Sequence, residues 1–255
     1  MKVSFNELQG MARKAFVGIG FEEGDAIDAA DMVAWLEVRG LFGMHALKKG
    51  LEFLLQENPR ALPELIYEDA DVSIFDAHGN SILGSASLAL ELGYARARAR
   101  GLSVTKIRRC HNRVLVIGYL SRLARRGINV TAFWRNAHEP LIEQWVGFRA
   151  RDPEPEVCLY SLPDSPEETE PNDGITLVMA NHVDLLPGLR SDFSLNNLMR
   201  QTDQDLRRQR EHALVEGMEV EDDLWRTLKN LADRLLVEAT QDSRSGAGAG
   251  TTDND

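Results

Sequence analysis

Between residues 71 and 136 the hydrophobic period of the chain switches back and forth. "DVSIFDAHGN" alternates apolar and polar residues and ends in a turn at Gly79-Asn80. "GSASLALELGYARARARG" repeats its apolar residues at helical spacing and is closed by Gly101. "LSVTKIRR" reads as a strand, "RVLVIGYLSRLARRG" as a helix closed by Gly127, and "INVTAFWRN" as a strand. Strands and helices taking turns demand a sheet with helices across its face, since each helix carries the chain back along the sheet. The expected fold class is therefore α/β: a mixed layer of βαβ units packed against N- and C-terminal helices.

The flanks are helical. "SFNE" at Ser4 to Glu7 is a capping-box pattern. "EEGDAIDAADMVAWLEVRG" follows, with acids in its first turn and Gly40 past its end. Met44, Leu47, Leu51, Leu54 and Leu55 then recur at steps that restart a helix. Residues 1–60 form this helical segment and 61–151 the α/β core. Residues 152–173, rich in proline and acid, read as an exposed connector with little regular structure, apart from a short strand in "VCLYSL". Residues 174–240 supply the strand "GITLVMANHVDLL" and two helices, at 195–217 and 221–240; 241–255 read as a disordered tail.

Composition narrows the function. Charged residues make up 27% and the net charge is −11, which argues against nucleic acid as a partner. One basic island, Arg96 to Arg113, interrupts the acidity. Cys110 and Cys158 suggest reduced structural thiols rather than a disulfide framework or zinc site, and no metal motif is present. "MKVSFNELQG" has no apolar secretion core and no run reaches the length of a membrane span. The expectation is a cytoplasmic protein with no membrane partner.

Three stretches carry candidate chemistry. In "EVRGLFGMHALKKGLEFL", His45 lies three residues before Lys48 and close to Arg39. A histidine beside fixed cations can move a proton to a carbonyl and hold a carboxylate; the bland alternative is a solvated helix flank. His111, Asn112 and Arg113, with Arg108 and Arg109, stand between a strand and a helix, where backbone N–H groups attract an anion; a plain solvated loop has the same grammar. "WRNAHEP" places Trp134, Arg135, Asn136 and His138 at the C-terminal end of a strand, the ligand edge of an α/β sheet, although tryptophan and arginine there also cover a core edge. His78 reads as a turn residue, and Arg122, Arg125 and Arg126 as a solvated helix face or an interface.

The order of these pieces resembles the type-2 malate/L-lactate dehydrogenase family. The likeness runs through "AADMVAWLEVRGLFGMHALKKGLEFL", through "FDAHGNSILGSASLALELGYARARARGLSVTKIRRCHNRVLVIGYLSRLARRGI", through "VTAFWRNAHEP" and through "REHALVEGMEVEDDLWRTL". Aligned from Arg39-Gly40, the family's Ser-His pair falls on Gly43-Met44, with His45 in the next position. Its second histidine falls on Arg113, and its Gly-Thr-Asn-Pro cofactor loop is replaced by the acidic connector.

The resemblance implies an oxidoreductase using NAD or NADP on a small 2-oxo acid, 2-hydroxy acid or cyclic imino acid. His45 would supply the proton, with Arg39 and Lys48 as charge partners. His111, Asn112, Arg113, Trp134 and Asn136 would face the cofactor, and His45, Arg39, Arg113 and Asn136 should share one cleft. The alternative is a non-catalytic relative that has lost the cofactor domain and binds a small anionic metabolite or a partner subunit. The family's members are homodimers. Leu224, Leu228, Leu231, Leu235 and Leu236 offer an apolar helix stripe that a second copy would bury.

Overall fold

Ser4 opens the first helix as read: Glu7 donates its N–H to Ser4 Oγ at 3.3 Å and returns its carboxylate to the Ser4 N–H at 2.7 Å. The computed structural model describes residues 1–136, 140–162, 173–183 and 197–235. Helix α1 runs Phe5–Ile19 and ends on Gly20 at φ 117°. Helices α2 (Glu23–Glu37) and α3 (Gly43–Leu54) follow, joined through Gly40 at φ 68°. Helix α2 is buried on nearly every side, through Ala26, Ala29, Met32, Val33 and Leu36 among others. It is the axle on which α1, α3 and the later helix α5 (Val116–Arg125) pack.

The sheet has eight strands in the order β2-β3-β4-β8-β5-β6-β7-β9. These are β2 (Glu64–Glu68), β3 (Val72–Asp76), β4 (Leu102–Arg108), β5 (Asn129–Arg135), β6 (Ile142–Phe148), β7 (Glu156–Ser161), β8 (Ile175–Ala180) and β9 (Asn197–Gln201). Helix α4 (Ile82–Arg100) crosses from β3 to β4, which pair in parallel; α5 (Val116–Arg125) connects β4 to β5. Between β4 and β5 the later strand β8 inserts, antiparallel to both. Its sequence, ITLVMA, is apolar except for Thr176, and every residue is at least partly buried, as suits an inner strand. The α/β class holds, with a mixed sheet whose other neighbours are antiparallel. A small second sheet ties the N-terminal β1 (Lys2–Val3) to β10 (Met218–Glu219).

The short strand expected inside the connector is present as β7, a full member of the main sheet paired to both β6 and β9; residues 163–172 lie outside the described residues. Two expectations need correction. The span expected as a helix from 195 begins instead as β9, and α6 (Asp203–Glu216) starts only at the Thr202/Asp205 capping box. The apolar stripe of the last helix, α7 (Asp222–Asp233), is also not left for a second copy. Leu224, Leu228 and Leu231 are buried within the chain, where α7 packs on α1, and of the described stripe only Leu235, just past the helix, is exposed. Gly18 makes that contact possible, since a Cβ there would sit 1.9 Å from the Leu231 carbonyl oxygen. Leu236 and the tail lie outside the described residues. Cys110 and Cys158 are buried and unbridged, and burial pushes the Cys110 thiol up to about 12. No described helix is long and apolar enough to cross a membrane.

Candidate functional site

The N-terminus of α3 is built under constraint. Phe42, just ahead of it, is exposed and held in the left-handed region at φ 54°, an unfavourable conformation for a side chain of its size. Gly43 follows because α3 abuts α2: a Cβ at Gly43 would meet the Val33 carbonyl oxygen at 2.2 Å. Phe42 supplies no cap, and Glu37 at the end of α2 acts in its place, accepting the Met44 N–H at 2.8 Å. Burial pushes the Glu37 pKa up, against the Met44 hydrogen bond and the charge of His45, which both pull it down.

His45 is exposed and lines a cleft of about 420 Å³ with Glu37, Glu219, Glu221, Met44 and Leu224. The lining thus joins apolar side chains to three carboxylates. Lys48 is exposed and pairs with Glu221 across the cleft margin. A partly buried carboxyl with a raised pKa beside a histidine is an arrangement suited to proton transfer.

Arg39 is elsewhere. Its guanidinium is 2% exposed and bonds Glu154 through Nε at 2.5 Å and Nη2 at 2.9 Å, donates to the Trp35 carbonyl at 3.2 Å, and lies 3.8 Å over the Trp35 ring. It lines a different cleft from His45 and is committed to an internal carboxylate. The expected pairing of Arg39 with His45 is therefore not formed.

The residues expected around a cofactor are engaged with the fold. His111 Nε2 pairs with Glu57, and its ring lies 5.7 Å from Phe53. Asn112, at φ 57°, donates to Ser81 Oγ at 3.4 Å and fills the space that a Cβ at Gly50 would need. Arg113 donates to the Gly174 carbonyl at 3.3 Å. Trp134 is buried in the main core. Asn136 closes the β5–β6 connection, donating to the Pro140 carbonyl at 2.7 Å and accepting from the Ile142 N–H at 2.7 Å. His138 lies outside the described residues. Helix α3 does meet the His111 segment, but through Gly50 and Phe53, more than a turn beyond His45. No described cleft is shared by His45, Arg39, Arg113 and Asn136.

At the C-terminal ends of the parallel pair β3 and β4, Asp76 takes a bidentate hydrogen bond from Arg109, at 2.8 Å from Nε and 2.5 Å from Nη2. His78 and Arg109 are both left-handed there, at φ 54° and 49°. The Arg109 hydrogen bonds hold the Asp76 carboxyl below the usual carboxylate range. This edge forms a third cleft of about 240 Å³ with Ile66, Lys106 and Asp173. The sequence reading missed Glu37, Glu57, Asp76 and Glu154, because each acquires its role from a partner on another element.

An expected result follows from Glu37. A raised folded pKa means that its stabilising contribution is present below the unfolded carboxyl pKa and is lost as pH rises through the folded value. Glu37→Gln keeps an acceptor for Met44 without a charge to desolvate. The variant should melt above the parent at pH 7.5, and the gap should close near pH 4. A gap independent of pH would contradict a desolvated Glu37.

Comparison with known proteins bears on the scaffold. Residues 3–100 match the model of a protein family of unknown function, DUF3726. No curated protein matches the chain. Among solved structures it is similar to a dehydrogenase from Sinorhizobium meliloti, at TM-score 0.68 and 15% identity, covering 91% of this chain and 99% of that one. A putative malate/lactate dehydrogenase from E. coli gives TM-score 0.67 and 11% identity, covering 96% of this chain and 99% of that one. The delta1-piperideine-2-carboxylate reductase from Pseudomonas syringae gives TM-score 0.59 and 14% identity, covering 91% and 99%. The likeness runs across nearly the whole of those chains, which argues against the loss of an entire domain. At these identities the comparison establishes architecture: the chain has the mixed α/β fold of malate/lactate-dehydrogenase-like structures.

Proposed function

We propose that the chain is an oxidoreductase acting on a small 2-oxo acid, 2-hydroxy acid or cyclic imino acid, with proton transfer at the His45 cleft. The observation that carries this reading is the placement of His45 and the partly buried Glu37 in one cleft of about 420 Å³. His45 would hold the proton delivered to the reduced oxygen or nitrogen, and Glu37 would favour its charged form. The acidic walls favour a reacting group that bears positive charge, so a protonated cyclic imine suits the cleft better than a dianionic oxo acid. The Pseudomonas syringae neighbour is a reductase of that substrate class.

NADH or NADPH, when bound, would supply hydride. Among the described residues, His111, Asn112, Arg113, Trp134 and Asn136 are engaged with the fold and line none of the three described clefts, so no step is assigned to them. A second reading, a relative that binds a small anionic metabolite or a partner subunit without redox chemistry, is favoured by one observation. Lys48 is paired with Glu221, and Arg39, bound to Glu154, lines another cleft, so neither cation is placed beside His45 to hold the carboxylate of a redox substrate. A homodimer is proposed from the resemblance alone, since α7 buries its stripe internally.

Fluorescence titration of the folded protein with NADH and with NADPH separates the two readings. A saturable change with either is expected. His45→Gln should keep that binding and lower turnover of Δ1-piperideine-2-carboxylate by roughly 10²–10⁴-fold, the usual contribution of a positioned proton donor. Flat titrations with both nucleotides would remove the redox reading and leave the second.

A further inference from the structure

A separate cleft of about 290 Å³ lies where α1, α2, α5 and α6 meet, sharing no lining residue with the His45 cleft. Four arginines line it: Arg39, Arg122, Arg125 and Arg210. Two are neutralised inside the fold. Arg39 is held by Glu154, and Arg122 bridges Asp28 and Asp31. Arg125, on the last turn of α5, and Arg210, on α6, have no carboxylate or hydrogen-bond partner among the described residues. Both are close enough for their charges to act on Arg39, whose pKa is pushed down mainly by burial and further by these two neighbours, against the pull of Glu154.

An independent observation comes from Trp35. It is 8% exposed, lines the same cleft, and its buried indole N–H has no acceptor. A buried donor left unpaired carries a desolvation cost that a bound acceptor would remove. Two uncompensated guanidiniums beside it supply the charge that such an acceptor would bring to balance. The remaining walls, Phe5, Val38 and Leu214, are apolar and can cover a carbon skeleton.

We propose that this cleft is a binding site for a small organic anion, whose phosphate or carboxylate is held by Arg125 and Arg210 and receives the Trp35 indole N–H. The volume suits a compact metabolite rather than a dinucleotide. The local positive charge also stands out in a chain of net charge −11, where the general field would otherwise repel such a ligand.

Calorimetric titration of the full chain at fixed ionic strength tests this, with inorganic phosphate and succinate as probes and sodium chloride as control. Saturable binding of at least one probe is expected. Phosphate alone would assign a phosphoryl ligand and succinate alone a carboxylate; either supports the site. Arg125→Gln/Arg210→Gln should weaken binding at least roughly ten-fold, the size of a lost charge-assisted bond. Arg125→Lys/Arg210→Lys keeps both charges and should lose only a few-fold. Trp35→Phe keeps a ring under Arg39 and should weaken binding through the missing N–H. Absence of saturable binding by both probes overturns the proposal, as does equal affinity in the parent and the double glutamine variant. An equal loss in the lysine and glutamine variants would point to damaged packing and overturns it too. None of these outcomes depends on nucleotide binding, so this site and the His45 reading can fail separately.

Discussion

Glu154→Ala should lower the unfolding midpoint by roughly 6–20 °C. Removing one partner of a buried ion pair leaves the other charge uncompensated, at a cost of about 3–5 kcal/mol, and a chain of this size loses about 2–4 °C per kcal/mol. Glu154 and Arg39 meet this condition: both side chains are 2% exposed and joined by a bidentate contact. Arg39→Lys should not be conservative. An ammonium cannot reproduce the two-point bond to Glu154 while also bonding the Trp35 carbonyl and stacking on its ring. Arg39→Met/Glu154→Leu removes both charges and should recover most of the loss, because an apolar pair carries no ionic desolvation cost. A thermal melt of these variants checks the ordering. If Glu154→Ala melts within a degree or two of the parent, the pair is wetter than its burial indicates.

Gly118→Ala should destabilise by about 1–3 kcal/mol or more, although alanine is the better helix former. A Cβ at Gly118 would lie 2.6 Å from Met32 Cα and 2.9 Å from its carbonyl oxygen. Those are backbone atoms of α2, so no rotamer change relieves the clash and α5 has to move. Gly118 also lines the arginine cleft, so the same substitution should weaken anion binding there. Gly10→Ala is the control. It lies inside α1 with nothing within 4 Å of an added Cβ, and should stabilise by about 0.5–1 kcal/mol through propensity and chain entropy. Equal effects of the two substitutions in urea unfolding would contradict the close α2–α5 approach.

Local rules made much of this fold legible. The Ser4/Glu7 box, the cap at Gly101 and the alternation in β3 and β4 are each settled within a few residues of chain, and all are present. Strands without a local signature were missed. The residues of β2, ELIYE, are all exposed and do not alternate; antiparallel hydrogen bonds to β3 make them a strand. The residues of β9 lie ahead of a good helix and read as part of it, until pairing with β7 decides otherwise. Strand β6 has no turn or cap signal of its own and is fixed by β5 and β7 on either side.

The candidate sites divide in the same way. The sequence singled out His45, and the structure places it in a cleft. It could not show that Arg39, six residues earlier, faces another cleft and binds a carboxylate 115 residues away. Nor could it show that Glu37 caps α3, or that Arg210 on α6 joins Arg125 on α5. The sequence by itself determined the α/β class, the capped ends of α1 and α4 and the residue types available for chemistry, because these follow from spacing and caps within single elements. Only the tertiary structure decided where β8 inserts, which arginines are neutralised and which are left without a counter-charge. Pairing of charges and unpaired donors depends on distances between elements far apart in the chain, and no local spacing encodes them.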